Sequence, residues 1–213
     1  MSSQATARVR RTPRSDGIRS RRAILEEAAR LATVEGLDGL SLARLADEVG
    51  MSKSGLYAHF GSKEELQLAT VETAREIFEE IVVRPALTAT DGLGRLRALA
   101  EGFLRHVEDG VFPGGCFFAS AAAELDTRTG PVRDLALGVA DDWRALLEQA
   151  VRDAQADGLL DHDTEASQLA FEVNAYLLLA NANFVASGSP EALAVARRAI
   201  ADRLDRALVP AGA

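Results

Sequence analysis

Residues Ser41–Leu66 read SLARLADEVGMSKSGLYAHFGSKEEL, and this stretch decides the fold. Leu42, Leu45, Ala46 and Val49 fall at i, i+3, i+4 and i+7, one face of a short amphipathic helix over about 41–48. Ser41 stands in front of it as an N-cap. Gly50 follows, where a helix end favours a residue that tolerates positive φ. A second short helix is expected over about 52–58. Gly61 breaks it, and Ser62-Lys63-Glu64-Glu65 reads as a capping box that opens a further helix.

Two short helices joined by a tight glycine turn form a helix-turn-helix. Ala46 is small where the two must cross closely, and Leu45, Val49, Met51 and Leu56 hold the pair together. The second helix carries Ser52, Lys53, Ser54, Gly55, Tyr57 and His59, which are polar, small or amphipathic. A helix of that composition does not exist mainly to bury surface. It suits a DNA major groove.

At these residues the chain resembles the TetR family of transcription regulators. The run SKSGLYAHFGSKEEL, residues 52–66, is similar to that family's recognition helix and the start of its fourth helix, with Tyr57, His59, Phe60 and Lys63 on matching helix boundaries. The likeness is specific over roughly residues 20–70 and architectural beyond them. It implies an all-α fold of about nine helices, with an N-terminal three-helix helix-turn-helix domain and a C-terminal helical domain for ligand binding and dimerisation. The expected divisions are a flexible basic arm over 1–19, the DNA-binding domain over 20–66 and the second domain over 67–213.

The resemblance also implies roles. Ser41, Tyr57, His59 and Lys63 would contact phosphates of double-stranded DNA, while Ser52, Lys53, Ser54 and Gly55 open the helix that faces base edges. A lysine there can reach guanine acceptors, and a glycine lets the backbone approach thymine methyls. Lys63 lies at a helix N-terminus, where backbone N–H groups attract phosphate. The slot where some members place a base-reading arginine, early in the second helix, looks like Ala43.

Charge follows the same division. The chain of 213 residues has a net charge of −8, but residues 1–66 carry net +2 and residues 67–213 net −10. Seven arginines against one aspartate fall in the first 22 residues. The acidic remainder discourages non-specific DNA contact. An apolar content of 47% supports a real core. No apolar run reaches the length of a membrane span, and the arginine-rich start lacks a signal-peptide core. A single cysteine, Cys116, excludes an internal disulfide and fits a reducing cytoplasm.

Beyond residue 66 the punctuation is helical. A helix from Lys63 to about Val83 is expected to end at Arg84-Pro85. Asp91, Pro113-Gly114-Gly115, Gly130-Pro131, Thr164 and Ser189-Pro190-Glu191 open five more. The helix over about 164–187 is apolar on much of its circumference. It and the last helix are the expected homodimer surface.

An unidentified and largely apolar effector is expected in the second domain, against Phe78, Phe103, His106, Phe117, Trp143, Asn174, Tyr176 and Asn181. Phe112, Phe118 and Phe184 are further candidates. Asn174 and Asn181 lie on one face of an apolar helix, where an amide needs a partner, either a ligand or a second subunit. No catalytic arrangement, cofactor motif or metal-ligand spacing is present in the sequence, and catalysis is not expected. The alternatives are redox control through Cys116 and a DNA binder that senses nothing. The size of the second domain argues against the latter.

Overall fold

The computed structural model describes residues 13–209. Its helices are α1 (Pro13–Glu35), α2 (Leu42–Glu48), α3 (Lys53–His59), α4 (Lys63–Phe78), a π-helical turn (Glu79–Val83), α5 (Arg84–Ala86), α6 (Gly92–Glu108), α7 (Phe117–Leu125), α8 (Pro131–Ala156), α9 (Ala166–Ser187) and α10 (Glu191–Asp205). The fold is all-α. Among the described residues the only extended pairing is an isolated bridge between Leu160 and Leu208.

The helix starts follow from side-chain caps. Ser41, Ser52, Ser62 and Asp91 each accept a hydrogen bond from the backbone N–H three residues on, satisfying a donor that the helix leaves unpaired. The box at Ser62 is shifted by one position. Glu65 returns to the N–H of Gly61, at 2.9 Å, rather than to that of Ser62. Gly50 joins α2 to α3 with φ at +66°, a conformation that costs other residues a Cβ clash.

Two boundaries differ from expectation. The first helix begins at Pro13, inside the expected arm, rather than at the expected start of the DNA-binding domain at residue 20. Proline fits a first helical position because its missing N–H has no partner to lose there. The expected arm therefore overlaps α1 over 13–19, and its residues 1–12 lie outside the described residues.

The second difference concerns Pro85, which does not stop the helix that starts at Lys63. The chain continues helically through Ala86 by widening into the π turn, where the N–H of Arg84 reaches back to the carbonyl of Glu79. A proline in a helix clashes with the carbonyl four residues earlier and removes one bond, and a wider turn just before it relieves both.

The core runs from Leu45, Leu56 and Phe60 through Leu66, Val71 and Phe78 to Phe103, Leu147 and Leu177, all buried. α4 joins the two halves, packing on both α1 and α8. α9 packs against α6, α8 and α10. By length and composition alone α9 is apolar enough to cross a membrane, but it packs on three other helices as a core helix of this domain.

Candidate DNA interface and effector cavity

α3 buries Leu56 and turns Ser52, Lys53, Ser54, Tyr57 and Ala58 to solvent, with Tyr57 56% exposed. Ser52 cannot serve the solvent alone, because its Oγ accepts from Gly55 N at 3.1 Å and meets Ser54 Oγ at 3.2 Å. Its first duty is the cap. Ser41 is half-buried and likewise caps its helix, α2, through Arg44 N. His59 is half-buried in the last turn of α3, its ring tilted against Phe60 at 6.2 Å. Lys63 is exposed at the start of α4, where its Nζ donates to the carbonyl of Asp38 at 2.6 Å. Arg21, on α1, lies over the ring of Phe60 at 4.7 Å and adds positive charge beside this surface.

The second half holds two cavities that share Phe78, Val139 and Trp143 as a common wall. The one beside α4, of about 370 Å³, is bounded by Arg75, Glu79, Val83, Arg84, Leu87, Asp142 and Leu146. The one beside α7, of about 280 Å³, is bounded by Phe103, Cys116, Phe118, Ala119, Ala122, Ala123, Ala140, Arg144, Asn174 and Leu178. The wall is an aromatic cluster. Phe78 sits edge-on to Trp143 at 5.2 Å, to Phe118 at 6.1 Å and to Phe103 at 6.3 Å. Such edge contacts add to the apolar burial.

Of the expected effector residues, the structure brings Phe78, Phe103, Trp143 and Asn174 to these cavities. Four others line neither. Phe117 turns away against Phe112 at 6.1 Å. Tyr176 packs half-buried against the core. Asn181 accepts from the N–H of Cys116 at 2.8 Å and so caps the start of α7. His106 lies behind Phe78 at 5.6 Å, with both ring nitrogens buried and unpartnered among the described residues. Burial pushes its pKa down to about 4, against a weaker opposing pull from Asp109. Both asparagines thus find partners inside the subunit, Asn174 through Trp143 Nε1 at 3.0 Å. Burial also pushes the Cys116 thiol up to about 11, far from the thiolate that redox chemistry needs.

Sequence reasoning missed one connection between the halves. Glu124 of α7 accepts from the backbone N–H groups of Leu37 and Asp38, both at 2.7 Å, in the loop between α1 and α2. Arg128 pairs with Asp38 at 2.9 Å, and Arg30 of α1 donates to the carbonyl of Val111 at 3.2 Å. α7 therefore touches the cavity with Phe118 and Ala122 and the DNA-binding half with Glu124. A glutamate on a partly exposed helix carries no sequence signal for such a role.

A helix-turn-helix with an exposed polar second helix, carried on a larger helical domain with cavities, defines a DNA-binding transcription regulator. The profile for bacterial regulatory proteins of the tetR family matches residues 24–70, and that for the tetracyclin repressor-like C-terminal domain matches residues 92–200. The chain belongs to the TetR family.

It is 34% identical over 85 residues to the HTH-type transcriptional activator FasR of Mycolicibacterium smegmatis, a match covering 40% of this chain and 39% of that relative. The match thus spans about two fifths of that relative's length. A TetR transcriptional regulator from Chloroflexus aurantiacus J-10-FL superposes with a TM-score of 0.84 at 25% identity, covering 92% of this chain and all, 100%, of that one. AibR, solved in complex with isovaleryl coenzyme A and operator DNA, superposes with a TM-score of 0.68 at 26% identity over 85% of this chain and 96% of its own.

Proposed function

We propose that this TetR-family regulator is a ligand-responsive repressor that binds a near-palindromic operator as a homodimer. The observation that carries the reading is the exposed face of α3, where Lys53, Ser54 and Tyr57 project from a buried Leu56. One such helix reads only a few base pairs, so specificity requires two half-sites at a fixed spacing of about 34 Å. Ser52 opens the helix on which Lys53, Ser54 and Gly55 read base edges, and Ser41, Tyr57, His59 and Lys63 contact phosphates. The arginine-rich residues up to 19, of which 13–19 belong to α1, add basic charge, 20–66 form the DNA-binding domain and 67–213 the sensing and dimerisation domain. The protein acts in the cytoplasm, where its DNA is.

The effector is a small, mostly apolar molecule held at Phe78, Phe103, Trp143 and Asn174. AibR, at 26% identity, was solved with an acyl thioester and operator DNA together, which supports a regulator that answers to both. α4 is the lever: Lys63 stands at its DNA end and Phe78 at its cavity end. A tilt of a few ångström spoils the match of two rigid helices to their grooves, and the coupling is worth about 1–3 kcal/mol. Redox control through Cys116 is the lesser alternative, given its burial.

The test is selection of bound sites from a random DNA pool, followed by transcription from a promoter carrying the selected site. An inverted repeat and lowered transcription are expected. A single half-site bound as tightly as the pair would overturn the dimer reading. Raised transcription would overturn the repressor assignment, the opposite sign to the one proposed and the one FasR is named for.

A further inference from the structure

The cavity beside α7 is walled by apolar side chains, with two exceptions. Arg144 lies at the rim and pairs with Asp141. The other exception is Asn174, which is 8% exposed and has its orientation fixed by a neighbour. The indole N–H of Trp143 can donate but never accept. It donates to Asn174 Oδ1 at 3.0 Å. The amide therefore keeps its oxygen on Trp143, and its NH2 group points elsewhere. Among the described residues that NH2 group makes no hydrogen bond, and Asn174 borders the cavity, so the donor is free for a molecule bound there.

We propose that the effector is a neutral, mostly apolar molecule carrying one oxygen acceptor, such as a ketone, ester or ether, and that the Asn174 NH2 group recognises that oxygen. This rests on the reading above, that the second half senses a small molecule. A free carboxylate is disfavoured by its desolvation, since a neutral amide cannot balance its charge and Arg144 at the rim is already paired with Asp141. A protonated amine is disfavoured in the same way, since Trp143 already draws on the Asn174 oxygen and no carboxylate lines this cavity. A cavity of about 280 Å³ sets the size at a short chain or one to two rings. Recognition is coupled to the lever. An acceptor that draws on Asn174 shifts its bond to Trp143, and Trp143 stands edge-on to Phe78 of α4 at 5.2 Å.

Trp143 is the only tryptophan in the chain, so its emission reports on the site directly. The full-length protein is titrated with hexane, 2-hexanone, hexanoate and hexylamine, four probes of one length. 2-Hexanone is expected to change the emission maximum and to bind at least five-fold tighter than hexane, with the two charged probes weaker than both. In Asn174→Leu the ketone preference over hexane should fall below two-fold. Because that change also strands the indole N–H, Asn174→Asp is the second variant. It keeps an oxygen for Trp143, removes the donors and adds a negative charge, so hexylamine, an ammonium ion at pH 8, should then bind better than 2-hexanone. Equal binding of hexane and 2-hexanone by the unchanged protein overturns the proposal, as does a ketone preference surviving in Asn174→Leu, or no response to any probe. DNA affinity is read separately. A five-fold ketone preference with operator affinity unmoved upholds the recognition chemistry and overturns ligand response instead.

Discussion

His106 is 1% exposed and keeps a neutral imidazole between Phe78 and Phe112. Its pKa lies at about 4 in the fold against 6.5 ordinarily, because burial disfavours the charged form. Between those values the unfolded chain takes up a proton that the native state refuses, so stability rises with pH across the window. The contribution is complete above about pH 6.5 and drains away as pH falls toward 4, by roughly 1–3 kcal/mol. Urea midpoints at pH 7 and pH 4.5 measure it, and His106→Leu should shrink the difference by that amount. An unchanged acid loss in the variant would show that other groups govern it. The two lysines of the DNA face separate in another way. Lys63→Ala should weaken binding to all sequences alike and flatten the salt dependence, since a phosphate contact releases counterions. Lys53→Ala should relax discrimination at one operator position by about 1–3 kcal/mol. The same uniform loss from both, in salt-varied binding curves, would dissolve the division.

At the scale of elements, caps were legible and bonds across the chain were not. Ser41, Ser52, Ser62 and Asp91 announce their helices because a capping side chain acts within three residues. The passage through Pro85 was hidden because a π turn answers a local clash and leaves no period in the sequence. The cavity was half legible. Phe78, Phe103, Trp143 and Asn174 share it, while Phe117 and Asn181 differ only in which neighbour they meet across the fold. Glu124 was not legible at all, and it gives α7 a hold on the loop between α1 and α2. Two bonds from backbone N–H groups to a carboxylate are of the charge-assisted kind. Glu124→Ala should cost about 1–3 kcal/mol. Hydrogen exchange locates the loss: the amides of Leu37 and Asp38 should exchange faster, while those in the core of α6 should not. Protection unchanged at both amides would mean that the clasp does not persist in solution.

For the whole molecule, the deciding surface is the one α9 leaves uncovered. Phe171, Ala175, Leu178, Leu179, Ala182 and Val185 recur at helical spacing along its outer face, and Phe171 and Leu179 are 66% and 62% exposed. A contiguous apolar stripe of this kind on a water-facing helix marks an interaction surface. The expectation that the last two helices form the dimer surface therefore falls mostly on α9, since α10 turns Arg198 and Asp202 outward beside Val195. Leu179→Arg tests it. The site is too exposed for the change to disturb the subunit's core, so its stability should move by no more than about 0.5 kcal/mol. A buried, unpaired arginine in an interface is another matter, costing several kcal/mol across the symmetric pair. Sedimentation at micromolar concentration should then find monomers, and affinity for the full operator should drop to that for a half-site. If Leu179→Arg remained dimeric, a different face would join the subunits, and the spacing of the two α3 helices would have to be rebuilt from that face.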